Sequence, residues 1–535
     1  MKYAVGLGKT IFNSGVSVIP LNDYHQSEII LTERLDRKKN SGAWPELPLK
    51  KLSKTNDIMG RVQNRDVQTV QEFEEYLNSR YPFFDRVKLQ NLDSFLDENC
   101  ITLNHHLAHA YSASVFCPFK ESLILVVDGA GSKHQEGHEF LSLFSFNEQK
   151  FELLENKKTT FKDNGYSESI GLFYEAISEF IFNSKTFAGK VMGLAPFGKS
   201  MGVVTSFSSF LEGLDWSKRF QGKSKEDWEN SPHLNFYQDL AATAQENFEH
   251  FLFTYLKGVA NRFPHSNLII TGGCALNCTF NGKLWKTKLF KNIYIPPNPG
   301  DEGISLGCAW SVVKDQVKWE PLPGQKQTSS RGLVSHYDLN ALSETFRNYK
   351  ITPYDQESVA QILHSGEVIA WFQGRSEVGP RALGHRSILA LPRKGIKDYL
   401  NENIKFRESF RPYGCTVIQD EVSKYFDVEE NFENPFMSFA IPIREEYRQV
   451  LADVGHIDHT SRFQTLHREQ NTVYYGLIKR VGELTGLPIL LNTSLNVMGE
   501  PILETLEDAH RFMENSQIQY LVFNEYFIEK VKSHV

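Results

Sequence analysis

The segment NHHLAHAYSASV (104–115) places His105 and His109 four residues apart. On a helix that spacing stacks two imidazoles on one face, one turn apart, as a shared metal ion requires. A zincin helix needs glutamate directly after the first histidine, and this chain has His106 there, which disfavours a metalloprotease. Carboxylates must complete such a site. Asp128, at the end of the apolar run LILVVDGAG, and Asp301, in the turn NPGDEG, are the candidates. Two histidines with two carboxylates suit iron(II), manganese(II) or zinc(II), with positions left over for a phosphate-bearing ligand. The competing reading is a helix with capping and surface histidines. Three glycine turns follow apolar runs: DGAG (128–131), TGGCALN (271–277) and NPGDEG (298–303). Glycine lets backbone approach a phosphate closely, and a helix N-terminus behind it favours negative charge. Three such turns together with the histidine helix point towards a nucleotide site. Lys190 in AGKVMGLAPFG is a candidate phosphate partner, the alternative being an exposed lysine.

The second constellation is cationic. GRSEVGPRALGHRSILALPR (374–393) and KFRESFRPYG (405–414) contain Arg375, Arg381, Arg386, Arg393, Lys405, Arg407 and Arg411, several separated by glycine, proline and small apolar residues. Guanidinium forks match phosphate and carboxylate oxygens, so a small-anion pocket is favoured over an ion-paired network built on Glu377 and Glu408. HTSRFQT (459–465) and LLNTSLN (490–496) add Arg462, Gln464, Asn492 and Ser494, whose neutral members can orient an amide. The GKT at 8–10 suggests a P-loop, but the glycine that a Walker A loop needs five residues before its GK is Tyr3. A hairpin, with its second strand starting near Val16, is the better reading.

These residues need a scaffold of buried strands and amphipathic helices. LILVVDGAG and SNLIITGG (266–273) read as buried strands ending in glycine turns, with helices over 169–182 and 240–260, which predicts an α/β core. KWEPLPGQKQTSSRG (318–332) breaks the composition and marks a domain boundary near 330. Beyond it, apolar segments at 366–372, 486–492 and 518–523 predict a second α/β or α+β unit. With 535 residues, 41% of them hydrophobic, two or more domains with substantial cores are expected. The net charge of -7 disfavours a generally basic nucleic-acid binder. No apolar run is long enough for a bilayer and the start has no signal-peptide core, so a cytoplasmic protein without a membrane partner is the expectation. The six cysteines are scattered; Cys274 and Cys278 read as buried thiols sooner than as metal ligands.

In order along the chain, HHLAH, DGAG, GKVMGLAPFG, GGCALN, NPGDEG, GRSEVGPRALGHRS, FRPYG and LNTSLNVMGEP resemble the O-carbamoyltransferases of nodulation-factor and antibiotic-tailoring pathways. The resemblance implies an actin-like ATPase (ASKHA) domain over 1–330, similar to the tRNA threonylcarbamoyl-transferase subunit, and a smaller YrdC-like domain over 331–535. It further implies that carbamoyl phosphate and ATP yield carbamoyl adenylate, which an acceptor hydroxyl attacks. His105, His109, Asp128 and Asp301 would bind the metal, iron(II) foremost, with Mg2+ accompanying ATP. Lys190, Gly129, Gly272, Gly273 and Asn277 would border the nucleotide. Arg375 or Arg381, with Lys405, Arg411, Arg462, Asn492 and Ser494, would hold carbamoyl phosphate, and Lys39 would reach the intermediate, making Lys39, Lys405 and Arg411 the catalytic set. The acceptor would be a hydroxyl of a sugar, natural product or modified nucleoside. A hydroxymethylated base in DNA is the less favoured alternative, and a homodimer is compatible with the pattern. One departure stands out: the family's catalytic His-Asp pair in the first hairpin is Phe12 and Asn13 here, and its histidine after Lys39 is Asn40. His25, His106 and Asp128 are the candidates to replace the lost base, and a member that binds without transferring is the alternative.

Overall fold

A computed structural model describes residues 3–9, 14–20, 22–31, 103–162, 165–334, 338–497 and 500–531. The fold is mixed α/β. Its first sheet is antiparallel, β1 (Tyr3–Lys9), β2 (Ser14–Pro20) and β3 (Glu28–Leu31), in that order. Residues 6–9 are thus the end of a hairpin strand, with Gly8 opposite Gly15. Gly6 is dictated by packing. A Cβ there would lie 2.0 Å from the Ser305 carbonyl oxygen, on the helix Ile304–Val313 that follows Asp301.

The second sheet contains β4 (Glu121–Val127), β5 (Lys133–His134), β6 (Gly137–Asn147), β7 (Lys150–Thr159), β8 (Leu268–Thr271) and β9 (Ile293–Tyr294). Its main path runs β7-β6-β4-β8-β9, with β5 also on β6. β4, β8 and β9 are mutually parallel and β6 is antiparallel to β4. Leu123, Leu125 and Val127 of β4 pack in one core cluster and Ile124 and Val126 in another, so both faces are covered, which is why the strand is a continuous apolar run. Helices Ile170–Phe182 and Leu234–Arg262 cover one face and helix His105–Val115 lies on the other.

The C-terminal half adds β10 (Ser330–Val334), β11 (Tyr349–Pro353), β12 (Ile369–Phe372), β13 (Arg375–Glu377), β14 (Arg386–Ala390), β15 (Gly414–Ile418), β16 (Ala440–Pro442), β17 (Thr460–Leu466), β18 (Ile489–Ser494), β19 (Tyr520–Phe523) and β20 (Tyr526–Lys530). β10 pairs with β13, and the other nine form one mixed sheet, β11-β20-β19-β12-β14-β18-β15-β17-β16. One core cluster runs through both halves, from Leu123 and Phe180 to Phe410, Phe463 and Ile528. No helix among the described residues is long and apolar enough to cross a membrane.

Candidate functional site

The carboxyl ends of parallel strands are where an open α/β sheet presents ligand groups. β4 ends into Asp128, β8 into Gly272 and Gly273, and the chain after β9 turns through Asp301. Opposite them stands the helix carrying His105 and His109. The four side chains converge, and their ligand atoms all lie within 4.8 Å of one another. His105 Nε2 lies 2.9 Å from Asp128 Oδ2 and 3.6 Å from Asp301 Oδ1. His109 Nε2 lies 3.5 Å from Asp128 Oδ2 and 3.4 Å from Asp301 Oδ1. The two imidazole nitrogens are 3.2 Å apart. Two aligned lone pairs facing two carboxylates form a cation's donor set, so the residues present fit a divalent metal. Burial would lower the pKa of His109, but hydrogen bonds to Asp128 and Asp301 outweigh it and raise it to about 10. Asp128, whose burial works the other way, is held well below the carboxylate range by His105 and His109.

Sequence reasoning missed the residues that set this helix in place. Asn104 caps it by accepting from Leu107 N–H at 2.9 Å. His105 N–H donates to Ser132 Oγ at 3.0 Å and His106 N–H to Glu139 Oε1 at 3.2 Å. The free N–H groups of the first turn are thus tied to the loop that begins with Asp128 and to β6. Glu139, 1% exposed, also accepts from Ser132 N–H and the amides of Asn104 and Asn156. Burial alone would raise its pKa, but His106 and these donors outweigh it and hold the carboxyl at about 2. A lone glutamate in an apolar strand was the available signal. His106 is fully buried, bonds Ser142 Oγ at 2.7 Å and is pushed by burial to about 4, so it does not reach an incoming acceptor. His25 stacks near Tyr24, away from the tetrad.

The glycine turns serve this geometry. Gly129 N–H donates to Asp128 Oδ1 at 2.8 Å, and a Cβ on Gly273 would lie 3.2 Å from the same oxygen. Gly272 has φ +88° and a Cβ there would meet the Val127 carbonyl oxygen at 2.2 Å. Asn277 caps helix Cys278–Lys286 and exchanges amide hydrogen bonds with Gln245, which commits it structurally. Glu175 and Glu302 stand nearby, raised by burial to about 8 and about 7.

A cleft of about 330 Å³ opens between the halves. Lys190, Arg381, Arg407, Arg411 and Arg462 line it, and Asp458 is the one carboxylate among the described lining residues. Arg381 is pushed down to about 9 by burial and by Arg462, and Arg407 to about 10 by burial with Arg411 and Arg462 adding to it. Asn492 and Ser494 also line the cleft; Asn492 Nδ2 donates to Thr416, leaving its buried Oδ1 without a protein partner, like Arg462 Nε. Cations that raise one another's energy, with amide and hydroxyl groups beside them, make a pocket for an anion with a polar end.

Of the other sequence candidates, Lys190 belongs to this cleft and not to the glycine turns. Arg375 instead donates to the carbonyls of Gly332 and Arg331, and Arg386 to those of Gln373, His385 and Gly374. Lys405 lies behind the cleft, where Ser494 and Asn496 accept from its Nζ, and burial drives its pKa well down. Gln464 is spent on Thr416 and the Leu383 carbonyl. Glu377 accepts the backbone N–H groups of Leu383, His385 and Arg386 and so shapes the Arg381 loop. Lys283, Lys286 and Lys288 pair with Glu249, Asp427 and Glu429. Phe12, Asn13, Lys39 and Asn40 lie outside the described residues.

Two family models match the chain, Carbamoyltransferase N-terminus over residues 61–310 and Carbamoyltransferase C-terminus over residues 360–530. Nodulation protein NolO of Bradyrhizobium diazoefficiens is 32% identical over 464 residues, 80% of this chain and 79% of its own. Nodulation protein NolNO of Sinorhizobium fredii is 33% identical over 80% of this chain, which spans 64% of that protein's length. The 3'-hydroxymethylcephem-O-carbamoyltransferase of Streptomyces clavuligerus is 28% identical over 64% of this chain and 65% of its own. Solved structures are remote: HypF of T. kodakarensis, 13% identical over 60% of this chain and 49% of its own, has a TM-score of 0.34, too low to carry an argument.

Proposed function

Because this chain belongs to the carbamoyltransferase family and is a transferase by class, we propose that it moves a carbamoyl group from carbamoyl phosphate to an acceptor hydroxyl at the expense of ATP. The observation that carries this reading is the cleft, where Arg381, Arg411 and Arg462 gather beside Asn492 and Ser494. Carbamoyl phosphate is a small anion with an amide end, and that set of groups complements both parts. In this reading the arginines hold the phosphate and Asn492 Oδ1 accepts from the carbamoyl amide. Water cleaves carbamoyl phosphate to carbamate and inorganic phosphate, and the carbamate oxygen attacks the α-phosphorus of ATP with loss of pyrophosphate. The resulting carbamoyl adenylate passes to the end of the N-terminal sheet, where the acceptor hydroxyl displaces AMP.

His105, His109, Asp128 and Asp301 would hold a divalent ion there, which when bound supplies charge neutralisation for phosphate oxygens. The chain's own contribution is to orient: Gly129, Gly272 and Gly273 keep backbone close to Asp128 and leave room beside it. The strand order β7-β6-β4-β8-β9 supports reading this half as ASKHA-like; the C-terminal half is read as YrdC-like on the motif resemblance alone. The cephem carbamoyltransferase, by its name, acts on a hydroxymethyl oxygen, which favours a small-molecule hydroxyl as acceptor here too.

The test is incubation with ATP, carbamoyl phosphate and a panel of hydroxyl acceptors, following AMP, pyrophosphate and a mass gain of about 43 Da on the acceptor. Formation of all three supports the reading. Ligand binding without any of them would favour a member that has lost transfer, the second reading that Phe12 and Asn13 suggest.

A further inference from the structure

Lys190 and Glu408 are 218 residues apart in sequence, yet Lys190 Nζ donates to Glu408 Oε1 at 2.6 Å. Their side chains are 12% and 8% exposed. Glu408 Oε2 faces Arg411 at 3.7 Å. Lys190 and Arg411 both line the cleft, whereas Glu408 stands behind them and does not. A carboxylate beside an anion pocket is an electrostatic oddity, because it weakens the field that an anionic ligand would feel.

The surrounding contacts explain what it is doing there. Segment 405–414 of the C-terminal half plugs into the N-terminal half. Phe410 sits among Phe182, Phe197 and Trp228, and Ser409 N–H donates to Glu229 at 2.9 Å. His456 Nε2 contacts the Gly193 carbonyl oxygen at 2.8 Å. Lys190 lies on the helix Ala188–Leu194 between these anchors, 3.8 Å from the centre of the Phe187 ring. Its ammonium therefore has two anions within its range of motion, the fixed Glu408 carboxylate and whatever occupies the cleft.

We propose that Lys190 is a binding residue for the anionic donor, contributed by the N-terminal half, and that Glu408 is its resident counterion, exchanged for a phosphate oxygen when the cleft fills. The inference rests on the anion-cleft reading above and deepens it, because it makes donor binding depend on both halves. Without a ligand, Glu408 spares Lys190 and Arg411 the cost of sitting unpaired in a half-buried space. With a phosphate present the lysine has a second acceptor, and charge–charge hydrogen bonds are worth enough to move it.

The exchange predicts effects of opposite sign from the two halves of one ion pair. Titration of the full chain with inorganic phosphate and with carbamoyl phosphate should show Lys190→Met weakening both by about tenfold or more, since a charged hydrogen bond is lost. Glu408→Gln should tighten both by about threefold to tenfold, because the competing charge is gone and an unpaired lysine awaits an anion. Lys190→Arg should stay close to the native value. A Mn2+ titration reports that the N-terminal half is intact, and phosphate-induced shifts in melting temperature give the same signs for any variant too unstable to titrate. If both substitutions weaken phosphate equally, or Lys190→Met changes nothing, the pair is only a structural clasp and the inference is overturned. Wild-type protein that binds neither phosphate compound would overturn the anion-cleft reading, and this inference with it.

Discussion

The metal-type tetrad and the cleft between the two halves are charge clusters of opposite sign built in opposite ways. The tetrad places two carboxylates against two imidazoles whose nitrogens are 3.2 Å apart. Its four members come from one helix and two turns of the N-terminal half. The cleft draws five cations from segments as distant as Lys190 and Arg462, with neighbouring arginines lowering one another's pKa. In each, like charges are brought together in a buried space at a cost in free energy. Under the proposed function each serves a ligand of the opposite sign, and the two can be broken separately.

The largest effect is expected at the tetrad. Asp128→Ala removes a carboxylate that faces both histidines and should abolish Mn2+ binding and reduce carbamoyl transfer by about 10³-fold, several kcal/mol of lost charge stabilisation. Phosphate binding in the cleft should be unchanged, and a parallel loss there would show that the two regions are one site. The reciprocal change, Arg411→Met, should lower kcat/KM for carbamoyl phosphate by about 10- to 100-fold and leave Mn2+ binding as it was. Arg386→Met gives the contrast within the same basic run. Its guanidinium is fully buried on backbone carbonyls, so the loss should appear in melting temperature.

The tetrad was legible in sequence because helical periodicity brings residues four apart together, and a run of apolar residues ending in aspartate announces a strand end. The hairpin, the helix over Ile170–Phe182 and the buried β4 were legible for the same reason. The cleft was only partly legible. Arg381, Arg411 and Arg462 point to one space, but Arg375 and Arg386 are consumed by carbonyl oxygens and Lys405 by oxygens of Ser494 and Asn496. Composition reveals a charge but not which acceptor satisfies it. Lys190 was read with the glycine turns because nothing local records an ion pair spanning 218 residues. Asn277 could have been recognised as a helix cap from the CTFNGKLWK helix that follows it.

A smaller effect separates the tetrad from its support. Glu139 touches none of the four ligand atoms, yet it holds His106 N–H and Ser132 N–H, one on the helix and one on the loop after Asp128. In Glu139→Gln one amide oxygen remains for donors that now serve a charged carboxylate, so the helix can shift relative to Asp128. Mn2+ affinity should fall by about tenfold, the low end for a residue that orients metal ligands, with cleft phosphate affinity unaltered. Native-like Mn2+ affinity in a folded Glu139→Gln would mean that the Asn104 cap and Ser132 suffice.

The smallest effect is a slope with pH, and it should differ between the regions. His109 has its pKa raised to about 10 in the metal-free protein, because hydrogen bonds to Asp128 and Asp301 outweigh burial. A pKa raised by folding stabilises the fold fully below the unfolded value near 6.5, and that contribution fades as pH rises through about 10. A metal needs the lone pair that this proton occupies, so binding must release the proton. Between about pH 7 and 8, Mn2+ affinity should therefore climb by up to tenfold, with close to one proton released per ion, measurable by titration in buffers of different ionisation enthalpy. The arginines of the cleft stay cationic over that interval. Carbamoyl phosphate affinity should consequently remain nearly level there, once the ligand's own ionisation is allowed for. A flat Mn2+ profile would place the proton elsewhere than on His109, and a cleft that followed the same slope would make a shared titrating group, not two separate clusters, the basis of both.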